Sequence, residues 1–296
     1  MSQATSALFD SLAFLAPLAP AAVGGLVTEY VGSLNIALEG LILAGAFSYV
    51  AVGLVLGPVA GAVAAMAVPA ALAYGSDLFA RKARADSFVV GLGINMLVPA
   101  AASILSQTVF GSKGVAVVSG LQSGRVMQSL SGLPFVGFLF GHRVSDYLAL
   151  AVAALVALLV AATPFGTRAR AAGMNPESLR MAGLDAGRIR GVAYALSGLA
   201  CGAAGAALAA SVGAWVPNMS AGRGWVALVA IYLGGKRLGG AVAATAFFAL
   251  LLSAATRAQS ISALPPELLM AMPYFITSLV VVAGAFRAHR RARVRR

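Results

Sequence analysis

The chain has 296 residues, of which 60% are hydrophobic and only 10% charged, and its mean hydropathy is +0.91. Ordinary soluble domains carry about 25% charged residues. Successive apolar runs near or above the roughly 18 residues that cross a bilayer exclude a soluble globular protein and predict an all-α, polytopic transmembrane bundle. The net charge of +12 sits in loops and a tail, with no soluble domain to present it, so it reads as membrane orientation rather than nucleic-acid binding.

The first apolar run, about 7–27, contains Pro17 and Pro20. It lacks the charged start and cleavage site of a signal peptide and is expected to be retained. After Glu29 comes an unusual polar stretch, Gly32-Ser33-Leu34-Asn35-Ile36-Ala37-Leu38-Glu39-Gly40. Runs over 41–56 and 59–79 follow, divided by Gly57-Pro58, and then a basic loop, Arg81-Lys82-Ala83-Arg84. The next run, 88–109, carries Asn95 and Gln107. Residues 111–143, rich in Gly and Ser, predict a loop with a short apolar or re-entrant piece around 133–140. Runs over 147–163 and 192–212 flank the polar stretch from Arg168 to Arg190. The remainder is Trp215 to Gly224, a short apolar piece to Leu233, Gly234-Gly235-Lys236-Arg237, two runs over 241–255 and 268–286, and an arginine-rich tail, 287–296.

This is a single transmembrane domain over 1–296 of about 8–10 spans, counted as nine, some of them short, broken or re-entrant. The pairs Gly57/Gly61 and Gly198/Gly202 have the small-xxx-small spacing that lets helix backbones approach. The lone cysteine, Cys201, lies in an apolar run and leaves no intramolecular disulfide or cysteine metal cluster to expect.

The polar loop over 166–190 holds a punctuated short helix. Asn175 is a good N-cap, Pro176 takes the first helical position, Glu177 meets the positive end of the helix, and Gly183 supplies a left-handed close. Two turns are far below the roughly 12–15 residues an isolated helix needs, so this one is expected to lie against something else. An ordinary positive-inside loop with a surface turn of helix has the same composition.

Orientation follows from the basic residues. Arg81, Lys82 and Arg84, the loop arginines 168, 170, 180, 188 and 190, Lys236 and Arg237, and the tail fall on one side under strict alternation. Only Lys113, Arg125, Arg143, Arg223 and Arg257 fall on the other. The bias places the 166–190 loop and the C-terminus in the cytoplasm, and nine crossings leave the N-terminus outside.

Polar groups at membrane depth point to a solute path. Asn35 and Glu39 are four residues apart, Asn95 follows Gly91 and Gly93, and Asn218 lies in a stretch with Pro217 and Gly222-Arg223-Gly224 that reads as a broken helix. These four are the candidate path or gate residues, although Asn35 and Asn95 would equally serve as interhelical hydrogen-bonding groups. There is no G-x-x-x-x-G-K-[ST] phosphate loop, no HExxH, no G-x-S-x-G and no paired-carboxylate arrangement. An intramembrane enzyme is therefore disfavoured, no cofactor is expected on this chain, and an engine supplied by another subunit fits better.

Several motifs, in order, resemble the permease subunits of bacterial ABC importers of the branched-chain amino acid and ribose type, nearest to the nucleoside and simple-sugar branch. They are Gly32 to Gly40 with 41–46; Gly173-Met174-Asn175-Pro176-Glu177 with Ala182-Gly183; Ser197-Gly198-Leu199-Ala200; and Pro217 to Trp225. The resemblance spans about 25–285. A departure is Gly234-Gly235-Lys236-Arg237-Leu238-Gly239, where relatives commonly place an aromatic-Asn-Pro type turn.

The resemblance implies a coupling helix made of Gly173, Met174, Asn175, Pro176, Glu177, Leu179, Arg180, Ala182 and Gly183. It implies as partners a cytoplasmic ABC ATPase using ATP and Mg, a second and different permease subunit, and an extracytoplasmic solute-binding protein, all at a bacterial inner membrane. A path without fixed charge suits a neutral polar solute. The competing expectation is a stand-alone channel or secondary carrier.

Overall fold

The computed structural model describes residues 3–118, 120–132 and 137–261. Its helices are α1 (Gln3–Tyr30), α2 (Leu38–Ala83), α3 (Ser87–Phe110), α4 (Val144–Ala162), α5 (Pro164–Met174), α6 (Pro176–Met181), α7 (Ala186–Val212), α8 (Arg223–Leu233) and α9 (Leu238–Ile261). Among the described residues, α1, α2, α3, α4, α7 and α9 are long and apolar enough to cross a membrane. The all-α polytopic bundle is thus present, and the chain is a multi-pass membrane protein. Each predicted run up to residue 255 corresponds to a helix or a helix arm. The run at 268–286, the tail 287–296 and the first half of the proposed re-entrant piece lie outside the described residues, and its second half holds a short 3-10 turn, Gly137–Leu139.

At 46 residues α2 would be about 69 Å long if straight, twice what a bilayer core needs. It folds back at Gly57, whose φ of 85° and ψ of 171° leave helical geometry, and Pro58 removes the next backbone donor. The two arms then lie antiparallel: a Cβ on Gly61 would meet the Tyr49 carbonyl at 2.5 Å and the Gly53 Cα at 3.0 Å. The Gly57/Gly61 pair is therefore a hinge and a contact, each with its own job.

Helix α7 is the centre of the bundle. Its inner positions are Gly and Ala, including Ala200, Ala204, Ala207 and Ala210, all buried. Against one arm of α2, a Cβ on Gly205 would fall 2.2 Å from the Ile42 carbonyl. Against the other, Gly198 meets Pro69 O at 2.2 Å and Gly202 meets Ala65 O at 2.0 Å. The Gly198/Gly202 pair is a helix-packing surface, as its spacing predicts. Large side chains such as Val55, Leu56, Val59, Met96, Leu97, Ile104, Leu155 and Leu158 are exposed on the outside of α2, α3 and α4, which suits a surface that meets lipid.

The bundle has two chemically distinct ends. At one, Gly173 packs on Tyr30 and Gly32, Arg81 reaches Gly187, and Lys236 pairs with Glu29. At this end Glu29, by accepting the ammonium's hydrogen bond, raises the pKa of Lys236. At the other end, Arg257 pairs with Asp10 at 2.5 Å and the His142 ring stacks on Phe9 with centroids 4.1 Å apart. The start of α1 and the 166–190 loop are thus at opposite ends. A two-residue antiparallel pair, β1 (Ala116–Val117) with β2 (Ala214–Trp215), ties the 111–143 segment to the end of α7, a connection the sequence analysis does not anticipate.

Gly202→Val places its side chain against the Ala65 carbonyl and is expected to cost about 1–3 kcal/mol, read as a lowered thermal-unfolding midpoint in detergent. Gly93→Ala, which meets nothing within 4 Å, should leave the midpoint unchanged or raise it. Equal midpoints for the two variants would contradict this packing.

Candidate functional site

Between α1 and α2, residues 31–37 are not helical. Backbone polar groups freed at membrane depth must find partners inside the protein, and polar side chains supply them. The Thr28 hydroxyl accepts from the Asn35 N–H at 3.2 Å. The Asn35 amide oxygen accepts from the Ala37 N–H at 3.1 Å, and its amide nitrogen donates to Ser197 Oγ, also at 3.1 Å. Asn35 is 2% exposed. Asn95 spans the same break from α3: its oxygen accepts from the Gly40 N–H at 2.8 Å and its nitrogen donates to the Ile36 carbonyl at 2.8 Å. Gly91 brings α3 close enough for this, since a Cβ there would lie 3.2 Å from the Ala37 nitrogen. Gly93 faces open space, and α3 stays helical through both glycines.

The second break lies between α7 and α8. Gly213 closes α7 in a left-handed conformation with φ of 71°, and Gly222 opens α8 with φ of 80°. Neither Gly222 nor any other residue at the start of α8 offers a side-chain cap of its own. Glu39 provides it from a position 183 residues away in the chain. Its two carboxylate oxygens accept from the Gly222 and Gly224 N–H groups, both at 2.7 Å. A carboxylate at the positive end of a helix gains from charge-assisted hydrogen bonds and from the helix dipole together. Gly224 allows the approach, as a Cβ there would be 2.3 Å from the Glu39 nitrogen.

Three of the four sequence candidates, Asn35, Glu39 and Asn95, are therefore brought together as the clamps of two broken helices. Asn218 is apart from them: exposed, in a left-handed turn with φ of 56°, with its carbonyl accepting from the Ala221 N–H. At the end away from the 166–190 loop, a cavity of about 290 Å³ reaches the start of α8 and is lined by Asp10, Arg125, His142, Arg143, Asp146 and Arg223 among others. Among the described residues no cluster of His, Cys, Asp or Glu is arranged to hold a metal.

The polar loop forms as its punctuation predicts. Asn175 Oδ1 accepts from the Glu177 and Ser178 N–H groups at 3.1 and 3.3 Å, and Pro176 begins the helix. At the far end the Gly183 N–H bonds the Arg180 carbonyl and the Leu184 N–H bonds the Leu179 carbonyl, with Gly183 at φ of 75°. This is a Schellman close, and its apolar pair, Leu179 and Leu184, roots the helix in a cluster with Val31, Val160 and Ala172. Leu179 is buried, whereas Met174 and Met181 are 83% and 80% exposed. Glu177 and Arg180 form an exposed ion pair at 3.3 Å, worth little to stability. Ahead of this helix the structure adds α5, with Thr163 as N-cap and Pro164 at its first position. The Thr163-Pro164 pair is the same signal as Asn175-Pro176 and was available in the sequence.

Thr28 and Tyr194, which carry no motif in the sequence, and Ser33 and Ser197, which stand there only as motif positions, complete the polar contacts around residues 31–37. Tyr194 Oη lies 2.8 Å from Ser33 Oγ and donates to the Leu34 carbonyl at 3.4 Å. Small hydroxyl residues in an apolar run carry little signal without their partners. If Glu39 is the cap of α8, Glu39→Ala leaves two N–H groups unpaired and costs about 1–3 kcal/mol, whereas Glu39→Gln retains one acceptor and loses less. Thermal unfolding in nanodiscs reads the order, and an alanine variant as stable as the glutamine one would contradict the assignment.

Residues 7–281 match the family described as branched-chain amino acid transport system/permease component. The chain is 30% identical to the guanosine ABC transporter permease protein NupQ of Bacillus subtilis, over 94% of this chain and 91% of that one. It is 29% identical to the nucleoside ABC transporter permease protein NupC of Lactococcus lactis, over 92% of this chain and 90% of that one. No solved structure matches it. With a match that runs through the clamped breaks, the capped loop helix and every described span, the chain belongs to the branched-chain amino acid type of ABC transporter permease components.

Proposed function

We propose that this permease subunit imports a neutral polar solute, a nucleoside before a simple sugar, by alternating access driven by ATP hydrolysis on a separate ATPase. The nucleoside preference rests on the similarity to permeases named for guanosine and nucleosides. The solute-binding protein and a second, different permease subunit complete the importer. ATP and Mg act on the ATPase, and this chain supplies the moving wall. The basic residues gathered at the 166–190 end support a cytoplasmic position for that end in the inner membrane, with the start of α1 outside.

One observation carries the reading. The exposed helix α6 follows directly on α5 and shares an apolar cluster with Val31 through Leu179, and α5 packs on the first break, where a Cβ on Gly173 would fall 2.3 Å from the Tyr30 carbonyl and 2.8 Å from the Gly32 nitrogen. A push on α6 would reach residues 31–37 through α5, across the single capping residue Asn175. Asn35, Glu39 and Asn95 act as gate clamps, holding the broken helices in one of two arrangements, and Asn218 is a path residue at the exposed turn before α8.

With ATPase and binding protein in proteoliposomes, the wild-type chain should take up guanosine only when ATP is supplied. Gly183→Pro, incompatible with φ of 75°, should lower uptake by about tenfold, within the usual range of coupling between sites, while hydrolysis continues. Full uptake by this variant would contradict the docking role, and gradient-driven flux through the chain alone would identify a stand-alone carrier.

A further inference from the structure

The first turns of α7 follow directly on the docking loop, and one face of this helix carries polar side chains upward from it. Arg190, Tyr194 and Ser197 occupy positions i, i+4 and i+7, which share one side of an α-helix. Each touches a different level of the structure. Arg190 Nε donates to Asp77 Oδ1 at 2.5 Å, and its Nη2 donates to Ser87 Oγ at 2.7 Å, so one guanidinium joins the end of α2 to the start of α3. Tyr194 lies under that guanidinium, 5.8 Å from ring centroid to Cζ, and its hydroxyl contacts Ser33 and Leu34. Ser197, fully buried, receives Asn35. Asp77 also accepts from Arg81 at 2.8 Å, and its own side chain has no exposure. A carboxylate held by two arginines is a rigid fixed point near the ends of α2 and α3.

We infer that Arg190, Tyr194 and Ser197 are positioning residues for transport: they form a polar ladder on α7 that transmits displacement of the docking loop to the non-helical segment 33–35, with Asp77 as its fixed foot. This rests on the ATP-driven permease reading above and adds a second route to the packing of Gly173 and Leu179. The rungs share one continuous helix, α7, and are direct hydrogen bonds of 2.8 to 3.4 Å. When the start of α7 moves relative to Asp77, the Tyr194 and Ser197 contacts must break or carry Ser33 and Asn35 with them. Two discrete arrangements of those bonds give the two-state element that coupling needs.

The test measures ATP hydrolysed per guanosine imported by the complete importer in proteoliposomes, with assembled complex and unfolding midpoint followed in parallel. Tyr194→Phe removes only the hydroxyl, and Ser197→Ala only the Asn35 contact. Either should raise the ratio at least about fivefold, the lower end of site-to-site coupling, with assembly retained and the midpoint lowered only as one lost buried hydrogen bond requires. Arg190→Lys keeps the charge but loses the fork that joins Asp77 to Ser87. Combined with Tyr194→Phe it should do no more harm than the worse single variant, the non-additivity of residues acting in series. Wild-type ratios in Tyr194→Phe and Ser197→Ala would overturn the ladder while wild-type ATP-driven uptake left the permease reading standing. Absence of ATP-driven uptake in the wild type would overturn both. A ratio raised as much by Thr245→Val, which removes a buried hydroxyl of α9 outside the ladder, would reduce these residues to packing and also overturn the proposal.

Discussion

The contact on which the rest of this bundle depends is the one between the Glu39 carboxylate and the two N–H groups at the start of α8. Two helices are broken within an apolar bundle, and each break frees backbone groups that lipid cannot satisfy. The chain answers by making the breaks satisfy one another. The start of α2, just past its own non-helical stretch, carries the acid that caps α8. Asn95 and Asn35 then bond the backbone of the stretch itself. Glu39, Asn35 and Asn95 are each hydrogen-bonded in the present conformation. Any alternative arrangement must exchange several hydrogen bonds together, and this makes the junction switch-like rather than elastic.

Around that junction the packing leaves little freedom. Helix α7 presents Gly and Ala to both arms of α2, at distances where an added Cβ would collide with backbone. Such contacts transmit rigid-body movement well, because backbone against backbone has no rotamers to absorb displacement. The exposed helix α6 is rooted by Leu179 and flanked by two exposed methionines on an otherwise polar surface. Methionine adapts its shape to a partner surface, so the proposed ATPase contact would tolerate movement without a rigid fit.

What was legible in the sequence was local. Asn175, Pro176 and Gly183 specify their helix through contacts of a few residues, and the structure reproduces each cap. Gly57-Pro58 marked the boundary between two runs, and it is a hinge. The apolar runs marked the helices because burying backbone in lipid leaves no other choice. What was not legible was pairing at long range. Glu39 was singled out as a polar residue at depth, yet its role as the cap of a helix 183 residues on depends on a fold that brings Gly222 to it. Asp77 drew no attention in the 59–79 run because its partner Arg190 is 113 residues away. The β1–β2 pair, two residues long, has no periodicity to detect. Thr163-Pro164 is the exception, a local signal of the same form as Asn175-Pro176 that went unread.

In the proposed importer, helix α6 is the surface gripped by an ATPase in the cytoplasm. Met181 is exposed and makes no polar contact that a substitution would break, and Cys201 is buried, so Met181→Cys in a Cys201→Ala background gives a single accessible thiol. Labelling with a membrane-impermeant maleimide, followed by short-range cross-linking to the ATPase subunit, tests the claim directly. The account predicts labelling in inside-out vesicles but not in intact cells, with a cross-link to the ATPase that blocks the maleimide. Labelling from outside intact cells, or an accessible thiol that never cross-links to the ATPase, would contradict it.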